Sequence, residues 1–359
     1  MIENELTKLL NIQFPIIQAP MAGGITTSQL VAAVSNGGGL GFIGAGYMSS
    51  EQLRDQIREV KRLTSHPFGV NLFVPNDFKV SENDVNHSNK LLQPIRNQLG
   101  LAETKNYNLP NQESSLAEFA EQIKVLLEEN IPVCSFTFGL PSPEMIEILK
   151  AKNVRLIGTA TTVQEAIAIE KIGMDFVVVQ GSEAGGHRGN FIKGEEESLV
   201  GLMSLIPQVV DNVGLPVIAA GGIADGRGLL AAFCLGAQAV QIGTAFLTCI
   251  ESGAHPVYKK AIVKAHEDEM VLTRAFSGKC ARGINNKFIE EMREHEPFLP
   301  EFPVQNSLTQ DIRKKASAEN NTQYMSLWSG QSPRLAKMQT VQSLIQQIMG
   351  DVEITRRKF

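Results

Sequence analysis

The sequence predicts an α/β fold, a closed (β/α)8 TIM barrel in which parallel strands alternate with helices. Short apolar runs recur along the chain, each followed by a turn and then by a helical pattern. The runs are apolar throughout instead of alternating with polar residues, as in strands buried on both faces of a parallel sheet. Their number, eight, favours the closed barrel over its alternative, an open doubly wound sheet.

The predicted strands follow one another over the first two thirds of the chain. They cover residues 16–19, 40–43, 69–73, 133–136, 154–158, 176–179, 217–220 and 239–242. Two of the helices between them have clear ends. Ser49 is suited to cap a helix over 49–63, and Gly173 is suited to end one over 161–173. The strands that start at 154 and 176 are about one strand–helix unit apart, as are those that start at 217 and 239.

Two stretches do not fit this repeat. Residues 76–112, after the third strand, are polar and loop-like, and the pattern is helical but irregular after about residue 264. We therefore expect a barrel over 1–263, a smaller and mainly helical covering segment over 264–345, and a C-terminal tail over 346–359. Insertions after barrel strands project at the catalytic face, so both stretches are candidates for covering the site.

Composition excludes several classes of partner and cofactor. The net charge of -5 leaves no basic surplus for a nucleic-acid backbone. No apolar run approaches the roughly 18 residues of a membrane span, and no signal pattern opens the chain. The four cysteines contain no CxxC pair, which argues against a metal site or a disulfide framework and favours a reducing compartment. A cytoplasmic protein acting on small molecules is expected.

Glycines follow the last two predicted strands. Gly221 and Gly222 come after the seventh strand, and the run Gln241-Ile242-Gly243-Thr244 ends the eighth. Glycines let backbone N–H groups approach a ligand closely, and a helix N-terminus that follows adds a positive dipole end. Either motif alone could be a tight turn. In tandem, at these two strands, they predict a phosphate cradle.

A literal GxGxxG pattern occurs at Gly39, Gly41 and Gly44. A dinucleotide fingerprint must follow a strand and open a helix. Here the pattern overlaps the second strand, and the next helix begins several residues later. The pattern therefore does not predict a dinucleotide site.

The loop after the sixth strand carries the candidate catalytic group. His187 lies between glycines in the run 180–189, where packing gives little reason for a histidine and where it can donate a hydrogen bond or move a proton. Arg188 is expected to attract a substrate anion or to lie on the surface. Asn71 and Gln180 end strands that point toward the same site.

Cys280 offers a competing hypothesis, a nucleophile of the kind used by IMP dehydrogenase-like barrels. Such a cysteine would belong to an active-site loop of the barrel, whereas this one follows the eighth strand–helix unit. The sequence therefore favours His187 over Cys280.

With these residues in place, the chain resembles the nitronate monooxygenase family, formerly the 2-nitropropane dioxygenases, nearly end to end. The matching stretches are PIIQAPMAGG (15–24), SNGGGLGFIGAGY (35–47), GVNLFVP (69–75), GSEAGGHRG (181–189), PVIAAGGIADGRG (216–228), VQIGTAFL (240–247) and MSLWSGQ (325–331). Related flavin barrels share the first six of these stretches. The histidine loop together with MSLWSGQ favours the bacterial class I branch.

The resemblance implies one FMN in each barrel and a single catalytic histidine, His187. It implies that nitronates, with propionate 3-nitronate as the expected natural substrate, are oxidised by O2 to a carbonyl compound and nitrite, a detoxification. The implied flavin contacts are Asn71, Gln180, Gly185, Gly222, Gln241, Ile242, Gly243 and Thr244, with Ala19, Pro20 and Met21 along the flavin ring. Tyr107 and Tyr324 are candidates for the family's active-site tyrosines.

Two other functions stay open at this point. An NADH-dependent flavin enoyl-acyl-carrier-protein reductase or quinone reductase shares the barrel, the FMN and a similar histidine. A flavin-binding regulatory protein without turnover is the alternative from another class, and a histidine aimed at the cofactor argues against it.

Overall fold

The computed structural model of the chain describes residues 3–102 and 109–358. Its strands are β1 (Ile16–Gln18), β2 (Gly41–Gly44), β3 (Phe68–Phe73), β4 (Val133–Thr137), β5 (Arg155–Ala160), β6 (Phe176–Gln180), β7 (Gly186–His187), β8 (Val217–Ala220), β9 (Ala239–Ile242), β10 (Met270–Thr273) and β11 (Ala281–Ile284). Eight of them form a parallel sheet in the order β1-β9-β8-β6-β5-β4-β3-β2. The Gln18 N–H donates to the Leu40 carbonyl at 3.0 Å and the Leu40 N–H to the Ile16 carbonyl at 2.9 Å, which closes the sheet. The predicted barrel is confirmed.

Helices precede, separate and follow the barrel strands and continue into the covering segment. They are α1 (Glu5–Leu10), α2 (Ser28–Asn36), α3 (Ser50–Leu63), α4 (Glu82–Gln98), α5 (Gln112–Glu128), α6 (Pro143–Ala151), α7 (Val163–Lys171), α8 (Leu202–Val210), α9 (Gly226–Cys234), α10 (Thr244–Leu247), α11 (Pro256–Lys264), α12 (Lys287–Met292), α13 (Val304–Leu308), α14 (Gln310–Ala318) and α15 (Val341–Arg356). As predicted, Ser49 caps α3 by accepting from the Gln52 N–H. Gly173 follows α7 with a φ of 87°, a conformation that glycine adopts without strain. In the described part of the chain, no helix is long and apolar enough to cross a membrane.

The strands are apolar throughout because the barrel buries both of their faces. In β6, Phe176 and Val178 belong to the cluster inside the barrel, whereas Val177 and Val179 belong to the layer between the sheet and the helices. Gly41 of the GxGxxG pattern lies in β2, and a Cβ there would be 2.2 Å from the Val31 carbonyl oxygen. This glycine allows α2 to approach the strand.

The interpretation of residues 76–112 as loop-like is wrong for residues 82–98. Helix α4 occupies Glu82–Gln98, with Ser81 as its N-cap. Its buried residues include Val85, Leu92 and Ile95, which pack into a second core cluster with the covering segment. These apolar residues are helically spaced, but they are few within a polar sequence. The covering segment that buries them is about 200 residues away along the chain, so the sequence pattern did not predict the helix.

The C-terminal tail predicted over 346–359 is also wrong. Helix α15 runs to Arg356, and its residues Ile348 and Val352 are fully buried in the main core. The covering segment differs from expectation in another way, because it includes strands. β10 and β11 form an antiparallel hairpin, and β7 from the histidine loop adds to its edge.

The buried face of α15 predicts a stability effect. We expect Ile348→Ala to lower the free energy of unfolding by about 2–5 kcal/mol, since truncating a buried isoleucine leaves a cavity. Ile354 is 58% exposed on the same helix, so Ile354→Ala should change it by less than about 0.5 kcal/mol. Chemical denaturation followed by circular dichroism measures both. Equal, small effects would mean that α15 is not part of the core.

Candidate active site

A cavity of about 870 Å³ lies at the carboxyl ends of the barrel strands. This volume is within the range of roughly 300–1,000 Å³ that is typical of ligand and cofactor sites. Its walls come from residues at or just beyond the ends of strands and from the covering segment. The latter contributes Phe276, Ser277, Asn306, Gln310, Arg313, Ser317, Met325, Ser326, Trp328, Gly330 and Ser332.

The structure brings almost all of the sequence-predicted site residues to this cavity. Those that line it are Ala19, Pro20, Met21, Asn71, Gln180, Gly185, His187, Gly221, Gly222, Gln241, Gly243 and Thr244. Ile242 does not line it. The Ile242 side chain is fully buried in the core, and its carbonyl accepts from the Ala19 N–H at 2.8 Å. Ile242 therefore joins the ends of β9 and β1, while its neighbours Gln241 and Gly243 line the cavity.

The glycines after β8 and β9 form one wall of the cavity. Gly221 and Gly222 have positive φ values of 134° and 65°. A Cβ on Gly243 would find only the Ala19 methyl group within 4 Å, at 3.7 Å, so the cavity reaches this backbone. The Ser332 hydroxyl donates to the Gly222 carbonyl at 2.8 Å. Small residues and backbone N–H groups thus leave room where a phosphate would have to sit.

The N-terminus of α9 does not belong to this wall in the way expected. The Asp225 carboxylate caps the helix by accepting from the Arg227 and Gly228 N–H groups, at 3.0 and 3.2 Å. An anion held by the protein therefore already occupies that helix end. The Asp225 carboxylate thus opposes the positive end of α9 that was expected to act on a phosphate, whereas Gly221, Gly222, Gly243 and Thr244 all line the cavity.

Asn71 and Gln180 are both fixed by hydrogen bonds. Asn71 Nδ2 donates to Ser135 Oγ at 2.9 Å and to Thr137 Oγ1 at 3.0 Å. Gln180 Nε2 donates to the His187 carbonyl at 3.1 Å, and its Oε1 accepts from the Gly189 N–H at 2.8 Å. Both ends of the Gln180 amide are therefore used to hold the histidine loop.

His187 has a fixed side chain and an aromatic environment. Its Nε2 lies 2.8 Å from Ser277 Oγ. The rings of Phe138, Phe302 and Trp328 surround the imidazole, with centroids 5.5–6.0 Å from it. Ser277 can accept from Nε2 or donate to it, so it allows either tautomer. In both cases Nδ1 has no hydrogen-bond partner among the described residues and is available to a ligand.

Burial keeps this imidazole neutral. Loss of solvation, together with the positive charges of Lys279 and Arg313, lowers the pKa of His187 to about 3. A neutral imidazole can donate one hydrogen bond or accept one at physiological pH. The two nearby cations also favour an anionic ligand over a neutral one.

Arg188 has neither of the roles expected from the sequence. It is fully buried and donates to the carbonyls of Gly181 at 2.6 Å, Gln180 at 3.0 Å and Ser198 at 2.6 Å. The side chain therefore ties together the loop that carries His187. It does not line the cavity, so a substrate cannot pair with it directly.

The cysteine hypothesis finds no support in the geometry. Cys280 is buried and does not line the cavity. Burial and the nearby Glu195 carboxylate raise the pKa of its thiol to about 11, whereas a nucleophile needs a thiolate.

Sequence reasoning missed several residues that line the cavity. Of the two tyrosine candidates, Tyr107 lies outside the described residues, and Tyr324 is buried with its hydroxyl donating to Gln98 Oε1 at 2.9 Å. Among the described residues, the tyrosines that line the cavity are Tyr47 and Tyr258. Tyr47 lies three residues beyond the end of β2, and this position could have indicated it.

The comparisons with known proteins agree with this architecture, which is that of a (β/α)8-barrel enzyme with its site at the carboxyl ends of the strands. The family model of nitronate monooxygenase matches residues 3–351. A probable nitronate monooxygenase of Staphylococcus haemolyticus is 52% identical over 352 residues, which cover 98% of this chain and 97% of the relative. The chain therefore belongs to the nitronate monooxygenase family and is an oxidoreductase.

The chain is also similar in structure to solved enzymes. A nitroalkane oxidase from Streptomyces ansochromogenes has a TM-score of 0.90 and 36% identity, covering 98% of this chain and 99% of its own. FabK from Thermotoga maritima has a TM-score of 0.78 and 34% identity, covering 100% of this chain and 98% of its own.

The buried environment of His187 predicts an unusual titration. Because its pKa is held at about 3, the imidazole should stay neutral from about pH 8 down to about pH 5, and protonation should begin only below that window. NMR of protein labelled at histidine measures this, and comparison with His187→Asn identifies the signal. A midpoint between pH 5 and pH 8 for that signal would contradict the burial of the group.

Proposed function

We propose that the protein is an FMN-dependent nitronate monooxygenase that oxidises alkyl nitronates with O2 to a carbonyl compound and nitrite. Propionate 3-nitronate is the expected natural substrate. One observation carries the proposal: a neutral histidine of fixed orientation shares a cofactor-sized cavity with a glycine-lined wall, and two cations lie nearby.

The donors in the cavity fit a cofactor with one phosphate group. The Gly222 and Gly243 backbone N–H groups and the Thr244 hydroxyl would hold the phosphate, while Asn71 Oδ1 offers an acceptor further in. Ala19, Pro20 and Met21 would lie along the ring system. When bound, FMN supplies the redox step by accepting electrons from the substrate and passing them to O2.

His187 would bind the nitronate through a hydrogen bond from its neutral imidazole. With the proton on Nδ1, Ser277 donates to Nε2, and Nδ1 can donate to a nitronate oxygen. With the proton on Nε2, Ser277 accepts a hydrogen bond from it, and the Nδ1 lone pair, at a pKa of about 3, is a weak base toward the carbon of a neutral nitroalkane. A nitronate is already deprotonated, so its oxidation needs only the first arrangement.

The surroundings of His187 would favour the anion and exclude water. Lys279 and Arg313 provide positive charge near the imidazole. Phe302 and Trp328, which come from the covering segment, and Phe138 surround it with apolar surface. A dry, positively charged site strengthens each hydrogen bond to the substrate. We propose that residues 264–345 serve as the cover that creates this environment.

The glycine wall predicts a change in cofactor content. We expect Gly222→Val to lower the FMN that co-purifies with folded protein, because the side chain would occupy the wall at a backbone φ of 65°. Gly100 is a matched control, since its φ is 66° and nothing lies within 4 Å of its Cβ position. Gly100→Val should suffer the same backbone strain and keep its FMN. Flavin absorbance per protein measures both, and full occupancy in Gly222→Val would show that the phosphate lies elsewhere.

The role of His187 predicts a loss of turnover with retention of the cofactor. We expect His187→Asn to bind FMN normally and to oxidise nitronate about 10²-fold more slowly, since a positioned hydrogen-bond donor is lost. The rate of nitronate oxidation by Ser277→Ala should lie between that of the parent and that of His187→Asn, because the imidazole remains but loses its fixed orientation. Steady-state oxygen consumption measures both. Parental turnover by His187→Asn would remove the histidine from the mechanism.

A further inference from the structure

The backbone of Phe138 has a conformation that phenylalanine rarely adopts. Its φ is 74°, in the left-handed region. Among the described residues, the other residues besides glycine with a positive φ are asparagines that follow the ends of helices: Asn11, Asn130, Asn153 and Asn320. Asparagine tolerates this region, whereas a bulky aromatic residue is strained there. Contacts made by the Phe138 side chain must therefore compensate for the strain of its backbone.

The left-handed turn also changes the direction of this side chain. In the strand β4, which ends just before it, Cys134 and Phe136 belong to the layer between the sheet and the helices. Ser135 and Thr137, which alternate with them, line the cavity. Continued alternation would turn Phe138 toward the helices. Phe138 instead lines the cavity. The strained backbone thus brings to the cavity a ring that regular strand geometry would have directed away from it.

The ring of Phe138 joins the barrel to the covering segment at the imidazole. It is almost fully buried, and its centroid lies 4.6 Å from that of Phe73 in β3 and 5.7 Å from that of Phe302 in the covering segment. The His187 imidazole is 6.0 Å away, with the two ring planes at 85°. Perpendicular aromatic pairs of this kind attract each other and have a preferred geometry. Phe138 therefore packs against the imidazole that Ser277 holds through Nε2.

The same ring holds a cation. Lys279 Nζ lies 5.0 Å from the centre of the Phe138 ring, within the range of a cation–π interaction. It also lies 3.4 Å from the Asn190 carbonyl and 3.3 Å from Asn190 Oδ1. Burial lowers the pKa of Lys279. Lys279 does not line the cavity, whereas Phe138 does. The ammonium therefore acts on the cavity as a charge behind an aromatic ring and not as a hydrogen-bond donor within it.

We propose that Phe138 is a positioning residue of the active site, whose ring orients the His187 imidazole and keeps water from both the imidazole and the Lys279 ammonium. The strained backbone is retained because it brings the ring to these two groups. The proposal rests on the proposed function and deepens it, since a fixed imidazole is the group that binds the nitronate there. The competing roles for Phe138 are ordinary core packing and direct contact with the alkyl part of the substrate.

Three variants separate these roles. Phe138→Leu removes the ring but keeps an apolar side chain, and Phe138→Tyr is the conservative replacement that keeps the ring. Phe136→Leu is the matched control, because it makes the same change at a fully buried position two residues earlier, where the ring packs 6.3 Å from that of Phe119. All three should retain their circular dichroism and their FMN. Loss of FMN from Phe138→Leu alone would overturn the proposal in favour of a cofactor contact.

The first readout is the titration of His187, which needs no turnover and is followed by NMR of histidine-labelled protein. The pKa of about 3 reflects loss of solvation and the charges of Lys279 and Arg313. Phe138→Leu admits water beside the imidazole, so the midpoint should rise to about pH 4 or above, with roughly one tenth of the imidazole protonated at about pH 5. Phe138→Tyr and Phe136→Leu should keep the parental midpoint. A parental midpoint in Phe138→Leu would overturn the proposal in favour of core packing.

The second readout is steady-state oxidation of the nitronates of nitroethane and 1-nitrobutane at about pH 8. Phe138→Leu should lower kcat roughly 10-fold for both and leave KM within about 3-fold, since a misaligned imidazole affects the reacting complex more than binding. Phe138→Tyr should recover most of the loss. A change in KM that depends on chain length, with a parental His187 titration, would overturn the proposal in favour of substrate contact. If the parent oxidised no nitronate at all, the proposed function would fail, and the titration would still decide the role of Phe138.

Discussion

The candidate site depends on the pairing of two residues of the histidine loop with the covering segment. In β7, Gly186 and His187 pair with Arg282 and Ala281 of β11. The Arg188 N–H extends this pairing by donating to the Cys280 carbonyl at 2.9 Å. The same hairpin turn presents Ser277 to the imidazole. A loop of the barrel and a segment about 90 residues later thus fix the position of the His187 side chain together.

The interior around this loop contains several cations whose surroundings differ. Arg188 donates to three carbonyls through its two terminal nitrogens and therefore acts as a structural tie, while its Nε has no hydrogen-bond partner among the described residues. Lys279 Nζ lies 3.4 Å from the Asn190 carbonyl and 5.0 Å from the centre of the Phe138 ring. Arg313 retains donors that the described residues do not use. The consequence is a neutral histidine in a positive field, an environment that suits an electron-rich anion and needs no strong base.

Much of the fold could be predicted from the sequence because its signals are local. Buried parallel strands are apolar on both faces, so each gave a continuous run such as 176–179, and the loop with His187 follows directly from one of them. Helix α4, the core role of α15 and the strands β10 and β11 could not be predicted in this way. Their apolar residues are buried by partners far along the chain.

The same limit applies to the site. Glycines and a histidine at strand ends are visible in the sequence, whereas the direction of a side chain is not. Arg188 follows His187 directly yet lies in the core, while Arg313, in a helix beyond the barrel, lines the cavity. Alternation along the short strand β7 explains part of this, because neighbouring side chains in a strand point to opposite faces.

The most direct test of the central claim is the oxygen consumed when purified, flavin-loaded protein is mixed aerobically with a nitronate and, separately, with NADH. The account predicts rapid oxygen uptake with nitronate alone, accompanied by nitrite, and no dependence on NADH. Oxygen uptake or flavin bleaching with NADH, together with no reaction with nitronate, would contradict it and identify the site as that of a nicotinamide-dependent flavin reductase.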